Sequence, residues 1–527
     1  MVSREYGDLA GAGGVKDVVY QLSKALARWT GRSLNVVLPG YGCIDYDEAG
    51  FVPLRDPLCP TKDLKLAINL DLPDNSVKET VQFYYKRDNR VHIYLLDAKR
   101  YREKTDIYTY TEVDEQRTSW QKKSQGHHDY FAMNILHQKA TLELIIALSV
   151  RPDIIHCHDG HTALLSALIR ENAGYSSYFR GTACLVTLHN AGYGYHQEVG
   201  DLPYAVSTTG LPARVIDTNL LELQFDPLLV AGQYATINTV SENYARELQE
   251  SESDKLTGWL GHELKSRGVI ISGITNGIDP EYYHPGAVAG DRKELLFDPG
   301  NRDDSLRGKI LCKKTLLTEL SSGSESLSLE QYGTLTSDVK KTLFTFVGRL
   351  SEQKGVDLLL EAIPVLLARH ENAQVLILGS GSKELESALV RFAGNIDSHG
   401  RVCYLKGFST LLAKKIYAAG DFFIVPSRYE PCGLTDFIAQ LHGNIPIVHR
   451  VGGLVKIVDG QTGISYKGEG PGELLAALER GLSLGKDARR EIQYKAVAKI
   501  TKKYAWTHVM RSYVELYKRC SVEQLPC

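Results

Sequence analysis

The chain reads as an α/β protein built in two similar halves, and three stretches carry that reading. Asp421 to Val425 is a short apolar strand that runs into Pro426-Ser-Arg-Tyr-Glu430-Pro-Cys-Gly-Leu-Thr435, and a helix begins at Asp436. A glycine pair precedes a helix in each half, Gly13-Gly14 and Gly452-Gly453. The strand–loop–helix pattern restarts at Phe344-Thr-Phe-Val347. Open α/β sheets place their chemistry in loops at the carboxyl ends of strands, where an acidic residue such as Glu430 meets substrate.

Composition sets broad limits. The 527 residues leave room for two to four domains. Apolar content of 43% and charged content of 24% are those of an ordinary globular protein. A net charge of −2 without blocks of like charge argues against a nucleic-acid or membrane partner. No apolar run approaches a membrane span, and no signal peptide opens the chain. Nine unpaired-looking cysteines suit reduced thiols, so a cytoplasmic location is expected.

From the start, Gly13 and Gly14 lead a helix with Val18, Leu22, Ala25 and Leu26 on one face. Such glycines let backbone amides approach a phosphate. Asn35 to Leu38 is a strand, followed by alternating stretches Leu64 to Leu70 and Val81 to Leu96 with a turn at Asp88-Asn89. Arg100 to Gln125 is polar and poorly periodic, and a mobile surface segment is expected there. Asp129 to Leu148 is helical by period, with Asp129 a solvated carboxylate at its N-terminus. Asp153-Ile-Ile-His-Cys-His-Asp-Gly-His161 places His156, His158, Asp159 and His161 at a strand end, which suits either a metal cluster or sugar recognition. Asn190 ends another strand and can cap it. Residues 282–340 read as a linker with a helix around Lys309 to Leu320 inside it and a loop between Leu320 and Thr342. Arg349 and Lys354, between a strand and a helix, can hold a diphosphate. The tail from Tyr504 to Cys520 is an amphipathic helix.

Ser427-Arg-Tyr-Glu-Pro-Cys-Gly-Leu-Thr and Gly348-Arg-Leu-Ser-Glu-Gln-Lys-Gly355 closely resemble the signatures of bacterial glycogen synthases and plant starch synthases. His156-Cys-His-Asp-Gly-His161, Thr187-Leu-His-Asn190 and Asn276-Gly-Ile-Asp279 are similar to further motifs of that family. The resemblance implies the GT-B architecture, two facing Rossmann-like doubly wound domains with an inter-domain cleft. The expected division is 1–280, 281–505 and a helix 506–527 returning to the first domain. It implies a retaining glucosyltransferase that elongates α-1,4-glucan from a nucleotide-glucose donor, ADP-glucose before UDP-glucose, without metal or cofactor.

The resemblance also implies site residues. Glu430 would bind the glucose hydroxyls, His161 would face the sugar, and Arg349 and Lys354 would neutralise the leaving diphosphate. The donor side would include Gly13, Gly14, Asp17, Asn276, Phe408, Cys432, Gly433, Leu434, Gly452 and Gly453, with Phe408 stacked on the base. The sugar and acceptor side would include Asp129, His158, Asp159 and Asn190. Two departures stand out. Gly11 occupies the position of the family's lysine, with Lys16 on the far side of the glycines. Only Met1 to Ser3 stand where a first buried strand is expected, as in a chain that starts late. Three alternatives are a GT-B transferase of other specificity, a non-catalytic glucan-binding homologue, and a metal-dependent hydrolase at His156, His158 and His161.

Overall fold

The computed structural model describes residues 1–73, 75–286, 292–321 and 329–524. The chain divides into two compact units, Met1–Gly277 with Trp506–Cys527, and Ile278–Ala505.

In the first unit, helix α1 (Gly14–Thr30) precedes β1 (Leu34–Pro39), and three strands follow, β2 (Lys65–Leu72), β3 (Asn75–Asp88) and β4 (Val91–Asp97). β4 lies parallel to β1, while β3 pairs antiparallel with β4 and with β2. Helix α2 (Tyr130–Ala147) leads to β5 (Ile154–His158), β6 (Ala183–Leu188), β7 (Thr236–Thr239) and β8 (Ser272–Gly273), which pair in parallel in that order. Buried on both faces, parallel strands read as continuous apolar runs, as all six buried residues of Ala-Cys-Leu-Val-Thr-Leu in β6 do.

The two groups of strands meet through the first residues of the chain. Val2 bridges in parallel to Val37 of β1 and to Cys157 of β5. Val2 N donates to His156 O at 2.8 Å, and Ser3 N to Val37 O at 3.3 Å. With Met1–Ser3 in the first slot, the order becomes 3-2-1-4-5-6, and the chain reverses direction across the sheet at that slot.

The segment expected to be a mobile surface loop is folded. Between Arg100 and Gln125, Tyr101, Lys104, Ile107 and Tyr110 are buried, and Thr111 closes a capping box with Asp114. Its polar sequence hides this because the anchors find their partners in distant segments, as the Tyr101 hydroxyl does at Met133 O.

In the second unit, α3 (Arg307–Ser321) and β9 (Glu330–Leu335) lie inside the stretch read as a linker. Leu316, Leu317 and Leu320 pack in one core with Leu376 and Leu405, and β9 adds an antiparallel edge to the sheet. The expected loop is therefore partly structure; residues 287–291 and 322–328 lie outside the described residues. Then come β10 (Thr342–Val347), α4 (Val356–Arg369), β11 (Ala373–Gly379), β12 (Arg401–Lys406), β13 (Phe422–Val425), α5 (Thr435–Leu441), β14 (Ile445–His449) and β15 (Ile464–Tyr466). The sheet order is β9-β12-β11-β10-β13-β14-β15, parallel except at β9. From β10 onward this is again 3-2-1-4-5-6, with its switch point between β10 and β13.

The helix Trp506–Gln524 belongs with the first unit. Trp506 Nε1 donates to Gln21 Oε1 at 2.9 Å, and Tyr517 OH meets His156 Nδ1 at 2.8 Å. Among the described residues no helix is long and apolar enough to cross a membrane.

Candidate functional site

The loops that leave β10 and β13 flank the second unit's switch point, and they bring Lys354 and Glu430 together. Lys354 Nζ lies 2.6 Å from Glu430 Oε2, and Ser427 Oγ donates to the same oxygen at 2.9 Å. The two loops pack backbone to backbone. Gly355 has φ +68°, and a Cβ there would stand 2.2 Å from Pro426 O. Arg428 turns aside to pair with Asp357 at 2.7 Å. Burial pushes the Glu430 carboxyl up, but Lys354, Ser427 and Lys456 outweigh it and hold the group below the usual range. Glu430 is thus an ionised carboxylate in a covered position, 8% exposed.

The glycine pair after β14 serves this turn directly. Gly453 N donates to Glu430 O at 2.9 Å. A Cβ on Gly452, at φ +48°, would fall 1.9 Å from Glu430 O, and one on Gly453 would fall 2.2 Å from Cys432 O. The pair was expected to present amides to phosphates; the Gly453 amide instead binds the Glu430 backbone. Cys432 is buried, Gly433 has φ +76°, and Leu434 is half-buried at the start of α5. Beneath them lies a residue the motif reading missed. Lys456 Nζ donates to Cys432 O, to Gly433 O at 2.8 Å, and pairs with Asp436 Oδ2 at 3.1 Å. Nothing in the sequence pointed to it, because two of its three partners are backbone carbonyls and the third, Asp436, lies in another element. Arg349 is exposed at the end of β10, and Phe408 is 69% exposed after β12, so it is not a core residue.

In the first unit the corresponding position holds a carboxylate at the glycine loop. Glu5 Oε2 accepts from Ala12 N at 2.8 Å and Gly13 N at 2.9 Å, and Tyr108 OH donates to Glu5 Oε1 at 2.7 Å. Of the amides expected to face a phosphate, that of Gly13 is therefore taken internally together with its neighbour Ala12 N, at the positive end of α1. The Tyr108 ring lies against the His161 ring at 5.3 Å, with the Arg4 guanidinium 4.9 Å from its centroid. Glu5 and Tyr108 were both missed; Tyr108 lies 103 residues from its partner. Asp17 sits half-buried in the first turn of α1, and Gly14 opens that helix. Lys16 folds its stem over Gly11, where a Cβ would meet Lys16 Cδ at 2.1 Å.

In the histidine stretch the His156 and His158 rings lie 4.2 Å apart, and their nitrogens bind partners from other elements. His156 hydrogen-bonds to Tyr517 OH and, at 2.6 Å, to Thr187 Oγ1. His158 Nδ1 meets His189 Nε2 at 2.9 Å. Burial holds His156, His158 and His161 well below the usual imidazole range. Among the described residues no group of three or more His, Cys, Asp or Glu could hold a metal ion. Asp159 has φ +58° and accepts from His189 N at 2.6 Å; burial pushes its carboxyl up to about 8. Asn190 Oδ1 accepts from Gly192 N at 2.9 Å, a local turn cap. Asn276 is buried, and its Oδ1 has no partner among the described residues.

Asp129 corrects an expectation. It is not a solvated helix-end carboxylate: its side chain is 13% exposed and pairs with Arg100 at 2.7 Å and Lys104 at 2.8 Å. Burial opposes its ionisation, but these two cations outweigh it and hold the group below its ordinary range.

Comparison with known proteins adds an independent line. Residues 1–262 match the family described as starch synthase catalytic domain, and residues 341–483 match glycosyl transferases group 1. Glycogen synthase 2 of Geobacter metallireducens is 30% identical over 534 residues, 99% of this chain and 98% of the relative. Glycogen synthase of Thermotoga maritima is 30% identical over 98% of both chains. The catalytic domain of starch synthase IV from Arabidopsis thaliana, bound to ADP and acarbose, superposes with TM-score 0.76 at 24% identity over 99% of both chains. Sucrose-phosphate synthase from Thermosynechococcus elongatus superposes with TM-score 0.55 at 15% identity, over 98% of this chain and 97% of that one. The fold is GT-B, two Rossmann-like α/β domains.

Proposed function

The chain belongs to the glycogen and starch synthase family of glycosyltransferases, and from that premise we propose that it moves glucose from ADP-glucose to the 4-hydroxyl of an α-1,4-glucan end with retention of configuration. The observation that carries the reading is the covered, ionised Glu430 held by Lys354 and Ser427 at the second unit's switch point. A carboxylate fixed in this way accepts hydrogen bonds from sugar hydroxyls and costs no reorganisation during reaction. The Lys354 ammonium has three donors, of which Glu430 takes one, leaving others for the departing diphosphate. Exposed Arg349 adds a second cation. Exposed Phe408 offers its face to the nucleotide base.

In the first unit, His161 and Tyr108 present ring faces to the sugar. Neutral His161 donates to or accepts from a hydroxyl without adding charge beside the forming oxocarbenium-like centre. With no carboxylate assigned as nucleophile, the acceptor hydroxyl attacks on the face the diphosphate leaves, and its proton passes to a departing phosphate oxygen.

The test is a donor panel with glycogen as acceptor, reading released nucleoside diphosphate and chain lengthening. ADP-glucose should support elongation better than UDP-glucose. The reverse preference overturns the donor assignment, and absence of elongation with every nucleotide-glucose overturns the reading.

A further inference from the structure

Beneath the Glu430 turn lies a buried ion pair that the chemistry above does not use. Asp436 is wholly buried and Lys456 is 7% exposed. Taking two charges out of water is costly, and an apolar pair of similar volume would satisfy packing alone. The geometry gives the lysine a further task. Its ammonium donates to the carbonyls of Cys432 and Gly433 and lies 3.1 Å from Asp436 Oδ2, so two hydrogen bonds and an ion pair hold it under this turn. Phe437 lies under it, with the ring centroid 4.5 Å from Nζ.

In a planar trans peptide the C=O and the following N–H point in opposite directions, and the chain has no cis bonds among the described residues. Turning the Cys432 and Gly433 carbonyls down onto Lys456 therefore turns the Gly433 and Leu434 amides away from it. Gly433 is needed for the same contact: its φ is +76°, and a Cβ there would stand 2.7 Å from Asp436 Oδ1 and 3.1 Å from Lys456 Nζ.

We propose that Lys456, anchored by Asp436, is a positioning residue that aims the Gly433 and Leu434 amides at an anionic ligand, the diphosphate of a nucleotide-sugar donor. The ligand assignment rests on the glucosyltransferase reading; the aiming of the amides does not. Lys456 also acts on Glu430 through space, alongside Lys354 and against Asp436.

Three variants test it: Lys456→Met, Lys456→Arg, and the double Asp436→Leu/Lys456→Met. The last replaces the pair with apolar groups, so folding is kept while the carbonyl clamp is lost. Each is compared with the parent by thermal denaturation, amide hydrogen exchange of the 430–436 segment, ADP binding by calorimetry, and transfer kinetics. In the double variant the segment should exchange about tenfold faster or more while the sheet keeps its protection. ADP affinity and kcat should each fall about tenfold or more, with the KM for glycogen unchanged. Lys456→Arg should recover part of both. Unchanged exchange in a folded double variant overturns the clamp. Faster exchange with parental ADP affinity and kcat overturns the ligand assignment. A parent that neither binds a nucleoside diphosphate nor transfers glucose overturns the glucosyltransferase reading, and the exchange result then still decides the clamp.

Discussion

The two units have the same strand order and different partners for the acidic side chain at their switch points. In the second unit an acidic side chain, Glu430, is met by cations, Lys354 at 2.6 Å and Lys456 beneath the turn. In the first, an acidic side chain, Glu5, is met by backbone amides of the glycine loop and by Tyr108 OH. The doubly wound topology brings two loops together at each point, but it does not decide what fills the space between them. A cation-lined carboxylate can share its cations with an incoming diphosphate. A carboxylate seated on amides already satisfies them, and the Tyr108 ring that joins it lies against His161.

The sharpest way to break this comparison is Glu430→Ala. It should lower kcat by about 10²–10³, roughly 2.7–4 kcal/mol, the range for losing one preorganised electrostatic partner. Lys354→Ala should cost a similar amount, and the double variant should fall well short of the sum because the two groups touch. Steady-state kinetics decide it: parental turnover in Glu430→Ala removes the second unit's claim to the chemistry.

Glu5→Ala should act mainly on folding. The part-buried Tyr108 hydroxyl loses its acceptor, at about 1–3 kcal/mol, while the amides of exposed Ala12 and Gly13 turn to water at smaller cost. Chemical denaturation measures this. If added pyrophosphate restores the lost stability in the variant and does nothing for the parent, the loop is an anion seat that Glu5 fills.

Asp159 sharpens the contrast through pH. Its folded-state pKa of about 8 lies above the ordinary 3.8, so the folded chain binds this proton more tightly than the unfolded one. The associated stability is fully present below the ordinary value and is lost as pH rises through about 8. Asp159→Asn cannot titrate and should show a flatter decline of melting temperature between pH 5 and about 9. A parent and variant with parallel profiles would remove Asp159 from the account.

The smallest effect expected is at Asn190, whose side chain closes a local turn on Gly192 N. Asn190→Ala should lower stability by about 1 kcal/mol, the net worth of one such hydrogen bond, with kcat unchanged. A large loss of kcat would move Asn190 from cap to substrate contact.

Much of this architecture is legible along the chain because its signals are local. The apolar run of β13, the Pro-Gly punctuation after it and the helix from Thr435 announce the strand–turn–helix unit that holds Glu430. The hairpin turn appears where Asp88-Asn89 places it, with Asn89 at φ 56°. The segment between Arg100 and Gln125 misled because its order depends on partners far away: Tyr101 OH donates to Met133 O, and Tyr108 OH to Glu5. Asp129 misled for the same reason, since both cations that bury it come from that segment. His156 and His158 lie in the strand that runs into Asp159, yet their partners Tyr517 and His189 arrive from other elements.

By itself, then, the sequence determined the two α/β halves, the family, and the acidic turn of the second half, because periodicity, turn chemistry and short motifs are properties of neighbouring residues. Only the tertiary structure decided that Glu5 fills the first glycine loop, that Gly452 and Gly453 are glycines to admit the backbone of Glu430 and Cys432, and that Lys456 stands beneath the turn. These depend on close approach between segments that topology brings together, and a contact made through backbone atoms leaves no trace in the side chains of the segment that supplies them.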